Sequence, residues 1–349
     1  MKASVLHKFC TPPIFEEIDD PVCGPNSVVI ELKACGVCRS DHHAWSGNDP
    51  DVKLPHIMGH ELAGIIVETG SDIKKFSIGD PVTVPFILGC GLCSDCQTGK
   101  STICDSQETI GFTIRGGFAQ FVEICFADFN LVRLPSSLGF ETAAAMGCRV
   151  TTAYRALTDR ASLSPGEWLA VYGCGGVGTS AILIAKALGA KVIGIDINNL
   201  ALKKATDVGA DIVLDPTKCK NVWQEVRELT NGGVDVSLDA LGIEVTFQNS
   251  IRSLRKLGRH IQIGMPTSNH AIVSLALLDL VYSRQLKIVG TRGMASSGFS
   301  SLMTMINNGS INIDSLITRK LKLSQVPEAM LQFGQQSETG ITIINNFSI

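Results

Sequence analysis

The sequence predicts an α/β protein of two domains, one β-rich and one built on a doubly wound parallel sheet. Three observations point there: a change of character near residue 150, a glycine-rich turn between a strand and a helix at 173–178, and cysteines clustered at 90–104. The length of 349 residues exceeds the usual size of one compact domain. At 45% hydrophobic and 18% charged residues, the chain can bury a sizeable core. A net charge of -3 gives no basic footprint for nucleic acid. Residues 1–8 lack the long apolar stretch of a signal peptide. The longest apolar runs, around 181–188 and 271–281, are interrupted by Lys186 or by Ser274 and Asp279, short of the ~18 residues of a membrane span. A cytoplasmic protein with neither a membrane nor a nucleic-acid partner is expected.

Before residue 150, short alternating runs broken by Gly and Pro predict strands at 28–33, 63–69 and 81–85. After it, apolar strands alternate with helical patterns. Strands are expected at 168–172, 191–196, 211–214, 234–239 and 259–263, with a sixth at 286–289. Helices are expected at 177–188, 200–208, 222–229 and 245–254. That alternation is the signature of a parallel sheet covered on both faces. From about 291 the elements are mixed again, and no internal repeat appears.

Cys90, Cys93, Cys96 and Cys104 are spaced so that four thiolates can converge on one tetrahedral zinc ion with no open position. Such a closed site staples a lobe and does no chemistry. The other eight cysteines of this large chain do not read as a disulfide framework, which belongs to small secreted domains. Cys10, Cys23, Cys35, Cys125, Cys174 and Cys219 read as small apolar residues. The pair Cys35 and Cys38 has redox spacing but no thioredoxin-like βαβ pattern around it.

The strand at 168–172 runs into Gly173-Cys174-Gly175-Gly176-Val177-Gly178, which opens a helix. Gly173 permits the tight turn, Gly175 lets the backbone approach a pyrophosphate, and Gly178 allows close helix–strand packing. The N–H groups at Gly176 and Val177, at the helix N-terminus, then face the anion. Asp196 ends the second strand 18 residues after Gly178, near the usual offset of a ribose-binding carboxylate. It would repel a 2′-phosphate, and Ile197, Asn198, Asn199 and Leu200 supply no cation to welcome one, so NAD is expected over NADP. Alternatively, Asp196 caps the next helix, a role that Asn198 or Asn199 can also fill.

Cys38, His60 and Cys148 are zinc-compatible residues outside the cysteine cluster. Taken singly, each also reads as an ordinary buried or turn residue. The combination closely resembles the zinc-containing medium-chain alcohol dehydrogenases. The matching stretches are Gly-Val-Cys-Arg-Ser-Asp around Cys38, Gly-His-Glu at 59–61, the four-cysteine lobe, Cys148 followed by Thr151 and Thr152, and the glycine turn with Asp196. They stand in family order over essentially the whole chain.

The resemblance implies a GroES-like catalytic domain over 1–149, completed by 291–349, and a Rossmann NAD domain over 150–290. It implies that Cys38, His60 and Cys148 bind a catalytic zinc, so that each chain carries two zinc ions, and that Asp41 orients His60 while Glu61 stands beside the metal. It further implies that the alcohol ionises at zinc as an alkoxide, with its proton relayed through Ser40, the cofactor ribose and His43; the neighbouring His42 is read as surface-facing. Arg39 corresponds to a pyrophosphate contact, Thr152 and Ile263 to further cofactor contacts, and Phe86 to a pocket wall. Members for small alcohols carry a Trp where this chain has Ser46-Gly47-Asn48-Asp49-Pro50, so a roomier pocket is expected. The implied activity is hydride transfer between alcohols and NAD. A polyol dehydrogenase of the same superfamily is the alternative, and a zinc module without enzyme activity a remote one. A homodimer or homotetramer is expected, with the sheet edge at 286–289 pairing across a two-fold axis.

Overall fold

The computed structural model describes residues 1–267, 270–333 and 339–348; of the tail expected over 291–349, residues 334–338 and 349 lie outside them. Six strands form an all-parallel sheet in the spatial order Ile212–Leu214, Lys191–Ile195, Trp168–Tyr172, Val234–Asp239, Leu254–Gln262, Lys287–Gly290. This is the order of a dinucleotide-binding sheet, and it reverses beside Trp168–Tyr172, the strand that feeds the glycine turn.

Successive side chains of a strand point to opposite faces, and this sheet buries both. Leu169 and Val171 pack with Ala181, Ile184 and Ala205 from the helices Gly176–Ala187 and Asn199–Asp207. Ala170 and Tyr172 face the other way, onto Val222, Val226 and Ile251 of Val222–Leu229 and Glu244–Ser253. Fully burying a large side chain such as Leu169, Val171 or Ile184 contributes about 1.5–3 kcal/mol of transfer free energy. Asn198, not Asp196, caps the helix Asn199–Asp207: its side chain accepts the N–H groups of Leu200 and Ala201.

The second large sheet is mainly antiparallel and centres on Val28–Val37, flanked by Glu61–Thr69 and Ile341–Asn346. The strand expected at 28–33 continues to Val37 because residues 35–37 pair with Ile344, Ile343 and Thr342. The strand expected at 81–85 stops at Thr83, just before Val84 and Pro85, where proline removes a ladder donor. The strand expected at 259–263 begins at Leu254, across an irregularity in its register with Val234–Asp239. Between the sheets, Phe140–Ala145 leads through a kink at Gly147 into Thr151–Arg155. Its residues Ala143, Ala144, Ala145 and Val150 share one buried cluster with Ala34 and Ala63 of the antiparallel sheet and with Leu169 of the parallel one. No helix among the described residues is long and apolar enough to cross a membrane.

Gly173 adopts φ +95°, open to glycine without strain. A methyl group on Gly178 would overlap the carbonyl of Gly173. Gly178→Ala is therefore expected to destabilise the protein by about 1–3 kcal/mol and to weaken dinucleotide binding, as read by thermal unfolding and cofactor titration.

Candidate active site

The strand Val28–Val37 delivers Cys38 to the start of the short helix Arg39–Trp45. Asp41, in the first turn of that helix, reaches back to accept the N–H of Cys38 at 2.8 Å. Its other oxygen accepts the N–H of Gly59 at 3.0 Å and meets Nδ1 of His60 at 2.9 Å. Asp41 and His60 are fully buried. A carboxylate there is an acceptor, so Nδ1 carries the proton and Nε2 presents its lone pair. Nε2 is buried and has no hydrogen-bond partner among the described residues. The ligand atoms of Cys38, His60, Glu61 and Cys148 all lie within 4.8 Å of one another. An orphaned imidazole nitrogen beside two sulfurs is a donor set that suits zinc.

The protein environment alone already biases these groups. A hydrogen bond from Cys148 outweighs burial and, with the nearby Arg149 charge, holds the Cys38 thiol well below its ordinary pKa; Cys148 is pushed well up by that hydrogen bond and by burial. Burial opposes charge on His60, but the Asp41 carboxylate raises its pKa well above the ordinary value.

Glu61 stands at the cluster, but its oxygens are already engaged. Oε1 accepts the backbone N–H groups of Cys148 at 3.1 Å and Arg149 at 3.2 Å, and Nε of Arg149 at 3.1 Å. Oε2 pairs with Nη2 of Arg149. Both side chains are buried. Burial raises the Glu61 pKa, and the guanidinium counters it. The Cδ of Arg149 also fills the space that a side chain on Gly176 would need, so the pair joins the ligand cluster to the glycine turn. Sequence reading missed Arg149. The available signal was a charge inside the apolar run 143–150, where a cation is tolerated only with a partner.

The four lobe cysteines form a second convergent set, their sulfurs within 4.8 Å of one another. Backbone N–H groups of Leu92 and Cys93 point at Cys90 Sγ at 3.5 and 3.4 Å, and they draw its pKa down to about 6. Cys96 and Cys104 are buried.

A cavity of about 1030 Å³ opens from the Cys38–His60–Cys148 cluster. Ser40 and His43 line it, with the Ser40 hydroxyl 4.0 Å from Cys38 Sγ. Nδ1 of His43 is buried without a hydrogen-bond partner among the described residues. His42 is not a lining residue; its ring lies 5.1 Å from that of Trp45. Arg39, Thr152, Val177 and Ile263 also border the cavity. Gly173, Gly175, Gly176, Gly178 and Asp196 do not, but they form the turn from which Val177 reaches it. Asp196 accepts the N–H groups of Cys174 at 2.8 Å and Asn198 at 2.9 Å. Phe86 and Phe112 wall the ligand end, with ring centroids 5.6 and 5.2 Å from that of His60. Phe112 was not legible as a pocket residue, since nothing in its spacing ties it to the motifs.

Residues 24–136 match the alcohol dehydrogenase GroES-like domain, and residues 176–308 match the zinc-binding dehydrogenase domain. The chain is 35% identical over 293 residues to an alcohol dehydrogenase of Geobacillus stearothermophilus, covering 83% of this chain and 84% of that protein. It is 34% identical over 339 residues to an NAD-dependent alcohol dehydrogenase of Sulfolobus acidocaldarius, covering 95% of both. The chain belongs to the zinc-containing medium-chain alcohol dehydrogenase family. Its fold agrees: the alcohol dehydrogenase TADH from Thermus sp. ATN1 superposes with a TM-score of 0.91 at 27% identity, over 99% of this chain and all of that one. The dehydrogenase is thus an α/β protein joining a GroES-like β-rich unit to a doubly wound parallel sheet, as expected.

The ion pair yields a stability prediction. Arg149→Met strands the buried Glu61 carboxylate and is expected to lose about 3–5 kcal/mol in chemical denaturation. Adding Glu61→Leu removes the stranded charge and should recover part of that loss.

Proposed function

We propose that this alcohol dehydrogenase interconverts alcohols with aldehydes or ketones, with Cys38, His60 and Cys148 holding a catalytic zinc ion and Cys90, Cys93, Cys96 and Cys104 a structural one. The observation that carries the reading is the buried, unpartnered Nε2 of His60 converging with two cysteine sulfurs at the floor of the cavity. When bound, zinc lowers the pKa of the alcohol hydroxyl and NAD takes up the hydride.

The residues of the chain supply positioning and proton movement. Asp41 fixes the tautomer and ring plane of His60 through a 2.9 Å contact, and it holds Cys38 through its backbone N–H. The Ser40 hydroxyl accepts and donates at one atom, so it takes the proton of the alcohol and passes it on toward His43. Burial, with the nearby Arg39 charge, lowers the pKa of His43 below its ordinary 6.5, which keeps the imidazole neutral and ready to accept. Glu61 acts with Arg149, bracing the backbone that carries Cys148. Phe86 and Phe112 keep the reacting end apolar.

For the cofactor, Gly173–Val177 and the helix behind them receive the pyrophosphate together with Arg39, and Thr152 and Ile263 flank the nicotinamide. Asp196 accepts from the ribose hydroxyls, and its charge, with no cation among residues 197–200, favours NAD over NADP. Residues 1–149 with 291–349 constitute the catalytic domain and 150–290 the cofactor domain. Among the described residues, the edge strand Lys287–Gly290 has one unpaired side, which would pair with that of a second copy in a homodimer or a homotetramer.

Elemental analysis should find two zinc ions per chain. NADH formation should appear with ethanol, longer primary alcohols, benzyl alcohol or secondary alcohols, should fall away with NADP, and should vanish in Cys148→Ala. Loss of turnover on every alcohol with both zinc ions in place would overturn the reading. Asp41→Asn should weaken zinc retention against a chelator by roughly 10–100-fold. Because the His43 pKa is depressed, the acid limb of the kcat profile should lie below pH 6.5. His43→Gln should abolish that limb and slow kcat near neutrality by about 100-fold.

A further inference from the structure

The lining of the cavity carries more cations than carboxylates. On the side of the cysteine lobe, its mouth is lined by Lys100, Arg155, Arg160 and Arg292, with Asp159 as the one carboxylate among them. The other carboxylate of the lining, Asp49, stands near His43. The chain as a whole carries a net charge of -3, so this concentration of cations runs against the average of the surface.

The four cations are held close together by the fold. Arg155 Nη1 donates to the hydroxyl of Thr102 in the lobe at 2.9 Å and to the carbonyls of Arg292 at 3.2 Å and Gly293 at 3.3 Å, while its Nε meets Asp159 at 3.3 Å. Arg160 Nε donates to the carbonyl of Gly290 at 3.2 Å. Among the described residues, the guanidinium of Arg292 hydrogen-bonds only the Thr109 hydroxyl, at 3.5 Å. Asp159 is thus the partner of Arg155, and among the described residues no carboxylate pairs with Lys100, Arg160 or Arg292. All three are exposed at the mouth. Like charges gathered at a cleft with low-dielectric walls repel one another and focus a positive potential into it. A structural role would be met by pairing them; they are instead left with donors to spare, and guanidinium groups match oxyanions in a bidentate fork.

The proposed cofactor site assigns the pyrophosphate to the glycine turn and Arg39 and leaves these cations without a role. Of that turn only Val177 lines the cavity, with Arg39 a further lining residue, and among the described residues no hydrogen bond ties Val177 to the four. Resting on the reading that the alcohol reacts at Cys38, His60 and Cys148, we infer that the substrate bears an anionic group, a carboxylate or phosphate ester, remote from its hydroxyl, and that Lys100, Arg160 and Arg292 receive it. The carbinol carbon of such a hydroxy acid gives hydride to NAD⁺ and its hydroxyl gives up a proton, leaving an oxo acid, NADH and H⁺. The anionic group is unchanged; it sets specificity and encounter rate.

The test compares 6-hydroxyhexanoate with hexane-1,6-diol, which differ at the remote end, on the zinc-loaded enzyme with NAD. The hydroxy acid is expected to have a kcat/KM at least about tenfold higher at low ionic strength, the advantage shrinking several-fold in about 0.5 M salt. Lys100→Gln, Arg160→Gln and Arg292→Gln should each lower the ratio of the two kcat/KM values, and the triple variant should bring it close to unity; Arg160→Lys should preserve most of it. These side chains are exposed, and thermal unfolding of each variant shows that it is folded. A wild-type ratio at or below unity, or a ratio that the triple variant leaves untouched, overturns the inference. If neither compound is turned over, calorimetry of both with the NAD-loaded protein still decides it. Tighter binding of the hydroxy acid, lost in the triple variant, upholds the anion site while the alcohol reading fails; equal binding sinks the site as well.

Discussion

A carboxylate sealed from water is tolerated only where it receives hydrogen bonds, and the Asp41 side chain meets that demand with three N–H groups. Two are backbone, at Cys38 and Gly59; the third is the imidazole of His60. The charge thereby fixes where the strand carrying Cys38 ends, how the turn before His60 folds, and which nitrogen of His60 remains free. Glu61 repeats the device one residue along, ordering the backbone of Cys148 and Arg149 and taking Arg149 as its counter-ion. The two acids hold all three of the proposed catalytic-zinc ligands, which come from distant parts of the chain, in one place.

This arrangement makes the Phe140–Arg155 segment the joint of the molecule. Its apolar side is buried with both large sheets, and its kink at Gly147 presents Cys148 to the ligand cluster. One turn later Thr152 borders the cavity, and after it Arg155 ties the cysteine lobe to the 292–293 loop. Proposed metal ligand, cavity wall and lobe anchor therefore occupy a single packed element. A shift of that element would be felt at all three.

Much of this was legible in the sequence, for local reasons. The glycine turn, the strand–helix alternation after residue 150 and the cysteine spacing are short-range patterns, and the parallel sheet appears with element bounds displaced by only a few residues. Cys38, His60 and Cys148 were recognisable as a set through their motifs, and the structure brings their ligand atoms together. What escaped was long-range. Ile341–Asn346 pairs with Val28–Val37, some three hundred residues away, and nothing in either strand advertises the other. Arg149 looked like a lone charge because its partner Glu61 lies 88 residues earlier. The cations at the cavity mouth come from three separate stretches that only the fold assembles.

That long-range pairing bears on how the protein is made. Val28–Val37, the strand that leads to Cys38, is synthesised some three hundred residues before its neighbour Ile341–Asn346. The residues between 168 and 290 can build their parallel sheet from contiguous chain as it leaves the ribosome. The sheet beside them must wait, holding one edge open until Ile341–Asn346 has been made. An open strand edge is an invitation to pair with the wrong chain. Arrival of Ile341–Asn346 is therefore the event that closes the sheet leading to Cys38, and the nascent enzyme is most vulnerable just before it.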